Sequence, residues 1–182
     1  MGHIPVNRNI RLEPVNLSMA PVIFETIDRD RKYLEKWLPF VEFTHQVSDT
    51  ENFLQSIVNQ QEIKKDEVFS IWYNGDFAGL IGFKDTDWIN HKTEIGYWIG
   101  EKMQGKGIVT ACVQKLIHYA FQKQKLNRIQ IKVAVGNFKS SAIPKRLGFQ
   151  FEGTERAGEL HQNKYLDLEI YSLLKHDKLI FE

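Results

Sequence analysis

Residues 94–117 read EIGYWIGEKMQGKGIVTACVQKLI, and the organisation of the chain turns on how this stretch divides. Up to Gly100 it has the short apolar run of a strand. From Ile108 it carries Val109, Cys112, Val113, Leu116 and Ile117, an apolar stripe at helical spacing that runs on to Phe121. Between the two lie Gly105 and Gly107, with Lys102 and Lys106 beside them. Glycine at a helix start costs about 1 kcal/mol relative to alanine, so something there needs bare backbone. A helix entered from such a loop offers unpaired N–H groups and a dipole that favours an anion. Lys106 adds positive charge, and Thr110 a hydroxyl one turn in. The physical reading is a diphosphate cradle, although a bare GKG is equally a tight turn. A Rossmann fingerprint needs a third glycine where Thr110 stands, and a Walker A loop needs Ser or Thr after Gly-Lys.

Working outward, the period changes several times. Residues 9–13 alternate as a short first strand, and 17–36 take a helical pattern that Trp37-Leu38-Pro39 closes. A second helix opens near Ser48, which has capping-box spacing to Glu51. Two apolar runs flank Asn74-Gly75, a strong hairpin signal. Beyond the glycine loop and its helix, NRIQIKVAV (127–135) reads as a central strand buried on both faces. A short helix from about 139 to 147 stops at Gly148, and FQFEGTERA and YLDLEIYSLL close the chain as strands. The expected fold is α+β, a mixed sheet with a β-α-β crossover at its centre and helices on both faces.

The composition narrows the function classes. With 182 residues and no linker or repeat, the chain reads as one domain over 1–182. A net charge of +1 gives no global field for nucleic acid, so direct nucleic-acid binding is not expected. Cys112 is the only cysteine, which excludes a disulfide framework and suits a reducing cytoplasm. No window approaches the about 18 apolar residues of a membrane span. The six histidines show no metal-ligand spacing, and no metal is expected.

The stretch 94–117, followed by NRIQIKVAVGNFKSSAIPKRLGF, resembles the GNAT superfamily of acetyl-CoA-dependent N-acetyltransferases, and most of all its RimJ/RimL-type ribosomal-protein members. The likeness extends to IRLEP, YLEKWLPF and the closing YSLL, so it covers most of the chain. It implies the GNAT fold, with about seven strands in a mixed, mostly antiparallel sheet. It further implies acetyl-CoA as co-substrate, its pyrophosphate on the loop amides of Gln104, Gly105, Lys106, Gly107, Ile108, Val109 and Thr110. The pantetheine arm would take backbone hydrogen bonds from Trp98, Ile99 and Gly100, and meet Asn137 from the other side. Lys102 departs from the family loop, which begins with Gln or Arg. The acceptor that the resemblance implies is an amine, the N-terminus of a ribosomal protein foremost. A polyamine or antibiotic amine is the enzymatic alternative, and an acyl-CoA-binding module the non-catalytic one. A homo-oligomer is compatible with the apolar final strand.

Acetyl transfer to an amine needs a base, an oxyanion donor, and a group to stabilise the departing thiolate. Glu94, opening the EIGYW strand, is the candidate base, directly or through water. A main-chain N–H within 97–99 is the candidate oxyanion donor. The family's thiolate acid is a tyrosine five residues before the GF phenylalanine, a position held here by Pro144. Ser140 is therefore the candidate near the thiolate, with helix capping as its alternative role. Glu159, His161, Asp167 and Glu169 are candidates for attracting a cationic amine.

Overall fold

The computed structural model describes residues 3–62 and 66–179. Eight strands form one sheet in the order β1–β2–β3–β4–β5–β6–β8–β7. They are β1 (Ile4–Pro5), β2 (Ile10–Pro14), β3 (Glu67–Tyr73), β4 (Asp76–Asp87), β5 (Lys92–Ile99), β6 (Arg128–Ala134), β7 (Gln150–His161) and β8 (Lys164–Leu174). The count exceeds the expected seven because a two-residue strand, β1, pairs with Leu12 and Arg11 of β2. All pairings are antiparallel except β5 with β6, which the crossover helix α4 (Ile108–His118) connects.

The parallel pairing is short. Only Lys92–Glu94 lie against Arg128–Gln130, after which β5 and β6 diverge. This seam positions the site.

Each face of the sheet has its own core. Ile95, Phe83, Ile81, Ile129 and Ile131 pack with the buried stripe of α4, which runs from Ile108 through Cys112 and Leu116. The alternating partners Leu80 and Trp98 pack on the other face with Ile23, Ile27 and Leu54. These last come from α1 (Ala20–Arg29) and α3 (Val47–Glu62).

The helix expected over 17–36 is broken into a 3₁₀ turn (Leu17–Met19), α1, and α2 (Arg31–Leu34). The break is at Asp30, whose φ of −102° and ψ of 17° leave the helical region. Its carboxylate accepts from the Glu101 N–H at 2.9 Å and is paired with Arg29. Ser48 does not cap α3. Asp49, in the first turn, reaches back instead and accepts from the His45 and Gln46 N–H groups that lead into the helix. At its far end α4 widens into a π-helical turn (Tyr119–Lys123). Tyr119 and Gln124 donate from there to the half-buried Glu67 carboxyl. The last helix, α5, spans Phe138–Arg146, and β7 runs farther than expected, to His161, through two bulges.

Candidate active site

Where β5 and β6 part, a cleft of about 870 Å³ opens. One wall is Tyr97, Trp98, Ile99 and the loop into α4; the other is Asn137 and α5, with Tyr33, Leu34, Trp37 and Leu38 from α2 and its following turn. Gln104, Gly105, Gly107, Ile108, Val109 and Thr110 all line it, as do Asn137 and Ser140. The loop and the N-x-x-S segment, some 30 residues apart in sequence, thus share one cleft.

The glycines are required by backbone shape. Gly105 and Gly107 both have φ of +72°, and Gly107 caps α4 from the left-handed region. A Cβ at either would meet no atom within 4 Å, so packing does not dictate the choice. The two glycines leave the start of α4 without a side chain at these positions, and the first-turn residues Ile108, Val109 and Thr110, whose amides a helix start leaves unpaired, line the cleft.

The cations around these amides are not the ones expected. Lys106 is absent from the cleft lining, because its ammonium lies 5.4 Å from the Tyr73 ring centroid. Lys139 and Arg146 of α5 line the cleft instead. Lys139 Nζ donates to Gln104 Oε1 at 2.9 Å, and Arg146 Nη1 to Thr110 Oγ1 at 2.9 Å. Both are cations held by neutral acceptors at the edge of a helix N-terminus, an arrangement suited to a polyanionic ligand. No sequence signal marked them, since each acts across a gap of more than 30 residues. Lys102 has an electrostatic role: its charge helps hold the Asp30 carboxyl below its ordinary range, after Arg29 and the Glu101 amide.

The backbone partners on β5 also shift. Gly100 was expected to offer free groups, but its N–H donates to Ala78 at 2.8 Å and its carbonyl accepts from Met103. The antiparallel alternation then turns the groups of Trp98 toward its partner Leu80 on β4, and those of Tyr97 and Ile99 toward the open side. Trp98 keeps a side-chain role, lining the cleft beside the ring of Phe40.

On the far wall, Asn137 Oδ1 caps α5 by accepting from the Ser140 N–H at 3.3 Å. Ser140 is therefore not the cap. Its Oγ donates to the Tyr97 hydroxyl at 3.3 Å, and that hydroxyl donates to the Ser140 carbonyl at 3.2 Å. Burial pushes the Tyr97 phenol up to about 12, so it is protonated at any working pH.

Glu94 lies outside the cleft lining, on the last paired residue of the seam. The residue is 9% exposed, and its carboxylate is paired with Lys84 Nζ at 2.7 Å and approached by Gln130 Nε2 at 3.4 Å. Near it on β7, burial raises the affinity of Glu159 for a proton, and the Glu94 charge raises it further against Lys84 and His161. His161 is buried, and its Nδ1 has no hydrogen-bond partner among the described residues. Asp167 and Glu169, by contrast, serve structure, accepting from the Ala157 N–H and the Tyr171 hydroxyl. Among the described residues no group of three His, Cys, Asp or Glu is placed to hold a metal. No helix among them is long and apolar enough to cross a membrane.

Residues 9–150 match the family model described as Acetyltransferase (GNAT) domain, so the chain belongs to that family. It is an acetyl-CoA-dependent N-acetyltransferase. Among curated proteins it is 38% identical over 176 residues to "Putative ribosomal N-acetyltransferase YdaF" of Bacillus subtilis (strain 168), covering 94% of each chain. It is 29% identical over 169 residues to the ribosomal-protein-serine acetyltransferase of Escherichia coli (strain K12), covering 93% of this chain and 94% of that one. Among solved structures, the microcin C7 self-immunity acetyltransferase MccE, in complex with acetyl-CoA and AMP, superposes with a TM-score of 0.91. That likeness is at 31% identity and covers 95% of this chain and 96% of the other.

Proposed function

We propose that this chain, as one N-acetyltransferase domain over 1–182, acetylates the α-amine at a protein N-terminus, with a ribosomal protein as the natural acceptor. The observation that carries the reading is the cleft at the seam, joined to the near full-length likeness to a protein named for ribosomal N-acetylation. Such an acceptor sets the cytoplasm as the place of work.

Acetyl-CoA supplies the acetyl group as a thioester. Its diphosphate would lie on the amides of Gly105 to Thr110, flanked by Lys139 and Arg146, and its arm along the open groups of Tyr97 and Ile99. One of those two N–H groups would polarise the thioester carbonyl. The hydroxyl of Ser140 stands on the opposite wall, where it can face the sulfur. The amine enters from the face bearing Trp98, Glu94 and Glu159. Of the two carboxylates, Glu94 is ion-paired with Lys84, while burial raises the affinity of Glu159 for a proton. Glu159 thus suits direct acceptance of the amine's proton, and Glu94 suits fixing the ammonium or a relaying water.

Peptides with different N-termini, assayed beside free polyamines, test the acceptor. Peptide acetylation at the α-amine is expected, and transfer to polyamines alone would overturn it. With a working peptide, Glu159→Gln is expected to lower kcat by about 10²-fold or more and Glu94→Gln to act more on KM.

A further inference from the structure

The contact between Tyr97 and Ser140 has its origin at Pro144. In α5 the carbonyl of Ser140 faces the position from which residue 144 would donate, four residues on. Proline has no N–H to give. The phenol of Tyr97, arriving from β5, donates to that carbonyl at 3.2 Å instead. The phenol oxygen of Tyr97 in turn accepts from Ser140 Oγ at 3.3 Å. A strand residue and a helix residue 43 positions apart are thereby tied across the cleft that both of them line.

We infer that Tyr97 is a positioning residue for the leaving thiol, its hydroxyl seating the Ser140 hydroxyl so that Ser140 donates to the sulfur of the bound co-substrate. The inference rests on the reading that Ser140 faces that sulfur. Both hydroxyl hydrogens are rotors. Before reaction the order is Ser140 to Tyr97 to the Ser140 carbonyl. When the acyl carbon–sulfur bond breaks, its electron pair goes to sulfur, and the Ser140 hydrogen turns toward the new charge. The phenol hydrogen then turns to the vacated Ser140 oxygen, and the hydrogen-bond chain strengthens the donor at its end. Neither hydroxyl gives up its proton. The thiolate takes one from water as it leaves, and the amine's proton goes to the carboxylates. The phenol is well suited to this, since its buried oxygen keeps its hydrogen up to about pH 12.

The test needs no acceptor. Coenzyme A, the thiol product, is bound to the protein and its thiolate is titrated by ultraviolet absorbance. A hydrogen bond donated to the thiolate favours the charged form, so the bound thiol should titrate below free coenzyme A. Ser140→Ala should raise its pKa by about one unit, the size of one charge-assisted hydrogen bond. Tyr97→Phe, which keeps the ring, should raise it in the same direction, and the double variant should match Ser140→Ala alone. If Ser140→Ala leaves the thiol unmoved, the placement of Ser140 is wrong and this inference falls with it. If Ser140→Ala shifts the thiol and Tyr97→Phe does not, or if the two shifts add, only the role of Tyr97 is overturned. Loss of coenzyme A binding in Tyr97→Phe alone also overturns it, because the hydroxyl would then hold the wall and not the serine.

Discussion

Cys112 shows how far a single residue can be read before any fold is known. Its place on the apolar stripe of 108–121 marks it as core, and in the structure it is fully buried with its thiol pushed up to about 12. Thiol reagents should therefore leave the native protein unmodified and label it only on unfolding, as mass spectrometry across a denaturant series would show. Glu152 could not be read this way. Its carboxylate meets Arg128 through two hydrogen bonds and Ser172 through a third, partners from two other strands, and these hold it down at about 2. The sign follows from the unfolded value of 4.5. The pair stabilises the fold above that value, and the contribution is lost as pH falls from 4.5 toward 2. The pair is partly solvated, so Glu152→Gln should cost no more than about 1 kcal/mol near neutrality. The same variant should flatten the acid limb of a urea-midpoint series. Lys106 is hard to read for a related reason: sequence tells that a lysine sits in the loop, but the aromatic face it settles over belongs to Tyr73.

At the scale of elements, the loop into α4 was the most legible part, because positive φ favours glycine and two glycines so close together before a helix mark it in the sequence. Gly107→Ala should lower stability by about 1–2 kcal/mol, the cost of a left-handed alanine. It should also weaken acetyl-CoA binding by more than that loss implies, since the new methyl would stand in the open space beside the helix start that the diphosphate would enter; calorimetric titration with coenzyme A measures the second effect and thermal melting the first. Less legible was the break between α1 and α2. Helical periodicity runs through 17–36, and only the distant Glu101 amide explains why the chain turns at Asp30. The π-helical turn after α4 was equally hidden. It brings Tyr119 and Gln124 onto Glu67, and periodicity does not record that a carboxyl more than 50 residues away needs two donors.

For the molecule as a whole, alternation and crossover length were enough for the sheet and its central parallel pair, while the cations of the site, Lys139 and Arg146, depend on α5 folding back over the loop. Acetyl-CoA, touching both walls, should stabilise the fold with the logarithm of its concentration, by about 2.7 kcal/mol at a hundredfold excess over Kd, read as a rise in melting temperature. The three-residue pairing of β5 with β6 has another consequence. Past Glu94 the inward amides of Tyr97 and Ile99 have no strand beside them, so the sheet is left one short strand unfinished there. An extended ligand arm would complete it. In hydrogen–deuterium exchange those two amides should trade protons readily in the free protein and slowly once the arm is in place, while their neighbour Trp98, bonded toward β4, stays protected throughout. Two backbone positions would then serve as a built-in occupancy gauge, readable in a mixture whose acceptor nobody has yet supplied.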